Sequence, residues 1–364
     1  WTLSRGLGDV YKRQISFYER PFPKRLRQFT AGQKAWRRDR ELCMQPTHYC
    51  EHHMSHAAAA FQTSVFDEAA CVVVDSIGEW DCSSIWTAKM VDGKAKYKKV
   101  WNMRYPKSIG LWYSALTKWA GLRPLDEEYI FMGMAAYGEA KYIDEVSALL
   151  HQNNHKGIKD LHGAPHDIAK SAEVVLEYEL RNIFEIALTY SNNICYGGGV
   201  ALNCVVNTKL REMCNLWIMP NPGDAGGALG AALATWYQYL GNKRRVVKSK
   251  DSMKGGYLGP CYTRETTKNY LKKIGSVFQI YDSDTLIEDT VKALENGKIV
   301  GWFNGRMEFG PRALGARSII ADARSPEMQK KLNLKIKFRE SFRPFAPSVL
   351  EEYANQWFDL KSIS

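Results

Sequence analysis

The stretch CEHHMSHAAAAFQTSVF, residues 50–66, places three histidines within five positions and follows them with four alanines. In a helix, His52 and His56 stand at i and i+4 and project side by side, while His53 points elsewhere. Ala57–Ala60 favour the helix and let it lie close to whatever it meets. Two imidazoles one turn apart are half of a site for a divalent transition metal. Taken alone, the pair reads more simply as surface histidines or hydrogen-bonded core ones. The Glu that zinc proteases carry after their first His is absent, because position 53 is His. Any completion of a site must come from elsewhere in the chain.

The 364 residues are enough for two domains and a substantial core. A hydrophobic content of 45% and a charged content of 24% describe an ordinary globular protein. No apolar run approaches the ~20 residues of a membrane span, and no signal peptide opens the chain. The eight cysteines include no CxxC pair, so reduced, largely buried thiols in a cytoplasmic protein are expected. The net charge of +11 favours anionic partners, phosphates or nucleic acid. Much of it lies in residues 12–40 (Lys12, Arg13, Arg20, Lys24, Arg25, Arg27, Lys34, Arg37, Arg38, Arg40), which a solvated basic face would also explain. WTLSRGLGDVYKRQ, residues 1–14, lacks an initiator Met and any clear period, and is expected to be a non-native leader. The chain closes on FDLKSIS without a domain-ending signal, so a fragment is expected.

Along the chain, residues 69–105 read as strand, turn, strand, hairpin at Asp92-Gly93, strand. Residues 108–122 read as a helix carrying core aromatics. The next segment breaks at Gly133 and Gly138 before another helix. Residues 151–168 hold four histidines in a polar, Gly/Pro-bearing stretch that reads as loop, and 171–190 reads as a long amphipathic helix. A short strand then enters YGGGVALN (196–203), followed by a helix from about Val205. Residues 216–240 give strand, turn and a buried Ala/Gly-rich helix, and 246–256 is the best linker. A second α/β unit follows. Hairpin strands succeeded by strand–helix alternation point to α/β layering.

Asp75 ends the apolar run ACVVVD, where it serves equally as a metal ligand or as a turn former. Asp224 in NPGDAGGALGAA stands where a tight turn meets a helix start, and N-capping alone would explain it. The glycines Gly197, Gly198 and Gly199 form a strand-to-helix turn of a kind that exposes backbone N–H groups to phosphates, though as a generic pattern it is weak. The densest signal is residues 301–350. There Arg306, Arg312, Arg317, Arg339 and Arg343, with Lys337 and Asn333, alternate with Phe309, Pro311, Phe342, Pro344 and Phe345. Guanidinium forks on so rigid a frame suit phosphate and carbonyl oxygens better than a solvated surface does.

EHHMSHAAAAF, VVVDSIGE, SIGLWYSALT, EEYIFMGMAAYG, GGVALN, NPGDAGGALGAA and GRMEFGPRALGARSIIADAR…RESFRPFAPSVL together resemble, in this order, the NodU/CmcH-type O-carbamoyltransferases, over roughly residues 15–364. The resemblance implies an α/β protein of two catalytic domains. Residues 15–245 would be an actin-like ATPase (RNase H-like) domain and 257–364 an incomplete YrdC-like domain. It further implies that the second domain makes carbamoyladenylate from carbamoyl phosphate and ATP, with Mg²⁺ accompanying the nucleotide. The first domain then passes the carbamoyl group to a hydroxyl of a sugar or natural-product acceptor. Carried over by the resemblance, His52, His56, Asp75 and Asp224 bind Fe²⁺, with Mn²⁺ or Zn²⁺ as substitutes. Gly197–Gly199, Asn203 and Asn333 hold the nucleotide, and the five arginines with Lys337 act on the phosphates. Nucleic acid is disfavoured as a partner, and a homodimer is left open. The family's opening phosphate-turn hairpin and its carboxy-terminal continuation have no counterpart in this sequence. A tRNA threonylcarbamoyltransferase-like enzyme, a phosphoryl-transferring actin-like kinase and an inactive fragment are the competing readings.

Overall fold

The computed structural model describes residues 15–34, 48–152, 158, 160–246 and 250–359. The expected leader lies outside the described residues, as do Lys12, Arg13, Arg37, Arg38, Arg40, Cys43 and His155. Two compact units result. One runs to Leu258 and includes Phe309–Pro311; the other comprises Gly259–Glu308 and the residues from Arg312 onward.

The first unit opens with β1 (Ser16–Phe17), α1 (Pro21–Thr30) and β2 (His48–Tyr49), the two short strands pairing in parallel. The histidine helix α2 (His52–Thr63) is buried on every side, as a helix with no solvent face must be. A meander of β3 (Glu68–Gly78), β4 (Asp81–Val91) and β5 (Lys94–Arg104) follows. Asp92 and Gly93 join its last two strands with φ of 53° and 78°, the left-handed pair that a two-residue hairpin turn needs. Helices α3 (Ile109–Trp119), α4 (Glu128–Met134), α5 (Ile143–His151) and α6 (Pro165–Leu188) come next. Then follow β6 (Asn193–Gly197), α7 (Cys204–Leu210), β7 (Asn215–Ile218) and α8 (Asp224–Ala234). Residues 165–168, read as loop from the sequence, instead form the first turn of α6. Pro165 starts that helix with its φ already set, and Asp167 complements the helix dipole.

The sheet order is β5-β4-β3-β6-β7, with β4 antiparallel to both neighbours and β6 and β7 parallel to β3. Counted within the sheet this is 3-2-1-4-5 with only the second strand reversed, the arrangement of an RNase H-like, actin-like ATPase core. The α/β reading therefore holds. Because side chains alternate along β3, Ala70, Val72 and Val74 face α3 and α6, packing with Trp112, Leu116, Leu180, Phe184 and Tyr196. Ala69, Cys71 and Val73 face α2, with Met54, Ala57, Ala60 and Phe61. Burial on both faces explains why that strand reads as continuous apolar sequence.

Part of the segment expected to be a linker is docked on the first unit. Ser252 Oγ donates to the Thr63 carbonyl at 2.7 Å and Met253 is buried, while residues 247–249 lie outside the described set. Arg244, one residue before the expected end of the first domain, donates from both Nη atoms to the carbonyls of Phe61, Ser64 and Phe66 at 2.6–2.9 Å. It thereby caps the open end of α2 with a cation.

The second unit carries α9 (Arg264–Lys273), α10 (Ser283–Glu295), the antiparallel pair β8 (Val300–Phe303) and β9 (Arg317–Ile320), and the short helices α11 (Met328–Lys331) and α12 (Ala354–Trp357). Thr263 and Asp282 cap α9 and α10 through their side-chain oxygens. Of the seven described cysteines none is in a disulfide; Cys71, Cys82 and Cys195 are buried, whereas Cys204 and Cys261 are exposed. No helix among the described residues is long and apolar enough to cross a membrane.

Phe184 is fully buried and meets Tyr196 edge-on at 5.3 Å. Phe184→Ala is expected to cost about 3–5 kcal/mol through lost burial and the cavity left behind. Urea unfolding of the two proteins checks this; a midpoint shift worth less than about 1 kcal/mol would contradict the packing described.

Candidate functional site

His52 and His56 leave α2 on one face, their Nε2 atoms 3.2 Å apart. Asp75, near the carboxyl end of β3, brings Oδ2 to 2.9 Å from His52 Nε2 and 3.7 Å from His56 Nε2. Asp224, the first residue of α8, brings Oδ1 to 3.3 and 3.4 Å from the same two nitrogens. Gly223, not Asp224, occupies the cap position, so the N-capping explanation of Asp224 fails and its carboxylate is turned to the histidines. One ligand atom from each of the four lies within 4.8 Å of all the others. The first three residues are buried, while the Asp224 side chain is 55% exposed and forms the open side of the cluster.

This arrangement fits a divalent cation. Bonds of ~2.1 Å to a common centre set ligand atoms about 3.0–3.4 Å apart, and the separations of the histidine nitrogens from each other and from the carboxylate oxygens, 2.9–3.7 Å, lie around that range. His56 Nδ1 lies 3.1 Å from the Pro222 carbonyl, to which it donates; that tautomer turns the Nε2 lone pair inward. Burial opposes charge on His52, yet Asp224 and Asp75 override it and raise its pKa to about 10. Asp224 feels burial and Asp75 pushing its pKa up, but the two histidines bring it down to about 2. The field that favours imidazolium here equally favours a dication, which would displace those protons. His53 stands apart: burial, then the charge of His52, lowers its pKa to about 3, and its Nδ1 lies 2.7 Å from Ser84 Oγ.

The glycine turn is built against this cluster. Gly198 takes φ +95°, and a Cβ on it would stand 2.2 Å from the Val74 carbonyl oxygen. The Gly199 N–H donates to Asp75 Oδ1 at 3.2 Å, fixing the carboxylate whose other oxygen faces the histidines. Asn203 is spent within the protein. It caps α7 by accepting from Val206 N–H at 3.1 Å, and its Nδ2 donates to both oxygens of Glu173 at 3.0 Å. Glu173, which no motif singled out, is buried and also accepts from Tyr113 Oη at 2.5 Å; burial raises its pKa.

In the second unit Arg306 donates to the Gly259 carbonyl at 2.8 Å, and Arg317 pairs with Glu308 at 3.1 Å. Arg343 pairs with Glu340 at 2.7 Å. Arg339 donates to Asn333 Oδ1 at 2.7 Å and lies over the Phe345 ring. Arg312 and Lys337 are exposed. Asn333 is fully buried, and its Nδ2 donates to the Ser341 and Arg343 carbonyls at 3.1 and 2.9 Å. Its amide thus braces the loop bearing Arg339 and Arg343.

An RNase H-like sheet thus carries, at the carboxyl end of its central strand, a His₂Asp₂ cluster that could hold a metal ion. Comparison with known proteins is more specific. A profile for the carbamoyltransferase N-terminus matches residues 17–162 and 148–233, and one for the carbamoyltransferase C-terminus matches 291–364. The chain belongs to the carbamoyltransferase family. It is 41% identical to an uncharacterised Synechocystis sp. protein, the match covering 96% of this chain and 68% of that one. Nodulation protein NolNO of Sinorhizobium fredii is 30% identical over 86% of this chain and 48% of its own length. Nodulation protein NolO of Bradyrhizobium diazoefficiens is 31% identical over 85% of this chain and 60% of its own length. The chain thus spans about half to two thirds of these relatives. Among solved structures, T. kodakarensis HypF aligns with a TM-score of 0.33 at 15% identity, over 56% of this chain and 38% of that one.

The cluster makes a direct prediction. His56→Ala and Asp224→Ala should each drop bound transition metal from about one ion per chain to a small fraction of that, because losing one of four ligands removes much of the affinity. Elemental analysis of the purified proteins checks this, and full occupancy in both variants would overturn the site.

Proposed function

We propose that this chain carries out ATP-dependent O-carbamoyl transfer. The observation that carries the reading is the convergence of His52, His56, Asp75 and Asp224 in the region matched by the carbamoyltransferase N-terminus. In this reading water takes the phosphoryl group of carbamoyl phosphate, releasing phosphate and carbamate. A carbamate oxygen then attacks the α-phosphorus of ATP, and pyrophosphate leaves. The resulting carbamoyladenylate then meets an acceptor hydroxyl of a sugar or natural product, giving the O-carbamoyl product and AMP.

Bound at the His₂Asp₂ cluster, Fe²⁺, or Mn²⁺ or Zn²⁺ in its place, supplies a Lewis acid and a template for carbonyl or phosphate oxygens. The chain's own groups do the rest. Pro222 and Gly199 hold His56 and Asp75 in fixed orientations, so no reorganisation is needed as charge develops. The glycine turn 197–199 lets the ligand's sugar or base approach the backbone, with Asn203 and Glu173 bracing the turn from behind. In the second unit Arg306, Arg312, Arg317, Arg339, Arg343 and Lys337 neutralise carbamoyl phosphate and the triphosphate, the latter with Mg²⁺. Asn333 positions Arg339. A cytoplasmic location follows from the need for ATP.

Product analysis tests the reading. Purified protein given ATP and carbamoyl phosphate should release pyrophosphate and, with acceptor present, AMP. Arg312→Ala should slow this at least about tenfold through the loss of one charge-assisted contact, while metal content stays unchanged. Release of ADP with a phosphorylated acceptor would replace this reading with a kinase.

A further inference from the structure

Two arginines of the first unit bury the guanidinium Nε without a hydrogen-bond partner, and they differ in every other respect. Arg244 gives both Nη atoms to the carbonyls at the end of α2 and stacks on Phe61 at 4.7 Å, so its charge is answered by the protein. Arg27, on α1, is only 7% exposed, and its buried Nε has no hydrogen-bond partner among the described residues. A buried guanidinium nitrogen without an acceptor is costly for a folded protein to keep.

The surrounding groups do not cancel it. The charges and ionisable groups whose fields reach Arg27 are Cys82, Tyr105 and Glu19. Glu19 is already paired with Lys24 Nζ at 2.5 Å. The Cys82 thiol, pushed up by burial to about 12, is neutral. Burial correspondingly lowers the pKa of Arg27 itself. The place also matters. Cys82 lies beside Ser108, whose hydroxyl donates to the Ser76 carbonyl at 2.6 Å, one residue past Asp75. Arg27 therefore lies toward the end of the sheet that carries the His/Asp cluster.

We propose that Arg27 is the cationic centre of an anion subsite in the first unit, separate from the arginines of the second, and that it takes a phosphoryl group. A guanidinium whose Nε is uncommitted can offer that edge to the oxygens of a phosphate. That an anion belongs here rests on burial and missing partners alone. The choice of a phosphoryl group rests on the proposed function, whose donor and nucleotide both carry one.

Arg27→Met and Arg27→Lys in the intact chain test this by calorimetric titration with inorganic phosphate and by thermal unfolding with and without it. Arg27→Met should weaken phosphate binding at least about tenfold, as loss of a charged hydrogen-bond partner does. Without phosphate it should unfold about 2 °C or more above the parent, because the uncompensated charge is gone. Arg27→Lys should retain part of the phosphate affinity. Titration with carbamoyl phosphate and with AMP then separates the sources: the one whose affinity falls in Arg27→Met is the occupant. Unchanged affinity for phosphate, carbamoyl phosphate and AMP in Arg27→Met would overturn the subsite. So would a lower unfolding temperature for Arg27→Met without phosphate, which would make the guanidinium a structural group. Binding of acetate but not phosphate would overturn the phosphoryl assignment, while the product analysis above would still stand or fall separately.

Discussion

Helices α2 and α8 touch backbone to backbone, and the site depends on that contact. A Cβ placed on Gly230 would stand 1.9 Å from the Ser55 carbonyl oxygen and 3.0 Å from Ala59 Cβ. Only glycine on one helix and small residues on the other allow such an approach. It sets the start of α8, and with it Asp224, against a pair of histidines on a helix that is already sealed. The same closeness recurs at the end of β3, where a Cβ on Gly78 would meet the His52 ring at 2.2 Å. The histidines are thus held between a strand end and a neighbouring helix, with little freedom for their rings.

Electrostatics reinforce this at the β3–β4 corner. Glu79 sits at φ 58°, an uncommon conformation for a residue with a Cβ, and its carboxylate receives the Arg20 guanidinium at 2.6 Å. Asp81, two residues on, is buried; burial raises its pKa, but Lys99 and Asn102 bring it below the usual range. Lys99 also pairs with Glu51, the residue that opens α2. The corner at the cluster end of β3 is therefore tied to the start of the histidine helix through Lys99, a half-buried cation shared by Asp81 and Glu51.

Much of this was legible in the sequence where the pattern is local. His52 and His56 pair because the helical period is local, and the Asp92-Gly93 hairpin is announced by the two residues that form it. The β3 run declared a strand buried on both faces. Asp75 and Asp224 are a different case: no spacing brings them to the histidines, and in the sequence they are reached only through the family resemblance. Geometry joins them through the sheet and through Gly230. Asn203 and Asn333 carried a motif, and their hydrogen bonds to Glu173, Val206, Ser341, Arg339 and Arg343 could not be read from it. Arg27, Arg244 and Glu173 stand in no motif, because their roles come from partners distant in the chain or from the lack of them. The start of α6 was hidden by a histidine- and glycine-bearing stretch that resembles a loop until Pro165 is read as a first-turn residue.

The four clustered residues are unevenly distributed along the chain. His52, His56 and Asp75 are neighbours in sequence, joined by one helix–strand turn, while Asp224 arrives only after helices α3–α7 and strands β4–β7. During synthesis, three of the four side chains are exposed by the ribosome long before the fourth exists. An ion placed there would be held only loosely by a nascent chain until α8 docks on α2. Tight retention would then report that α8 has reached the histidine helix.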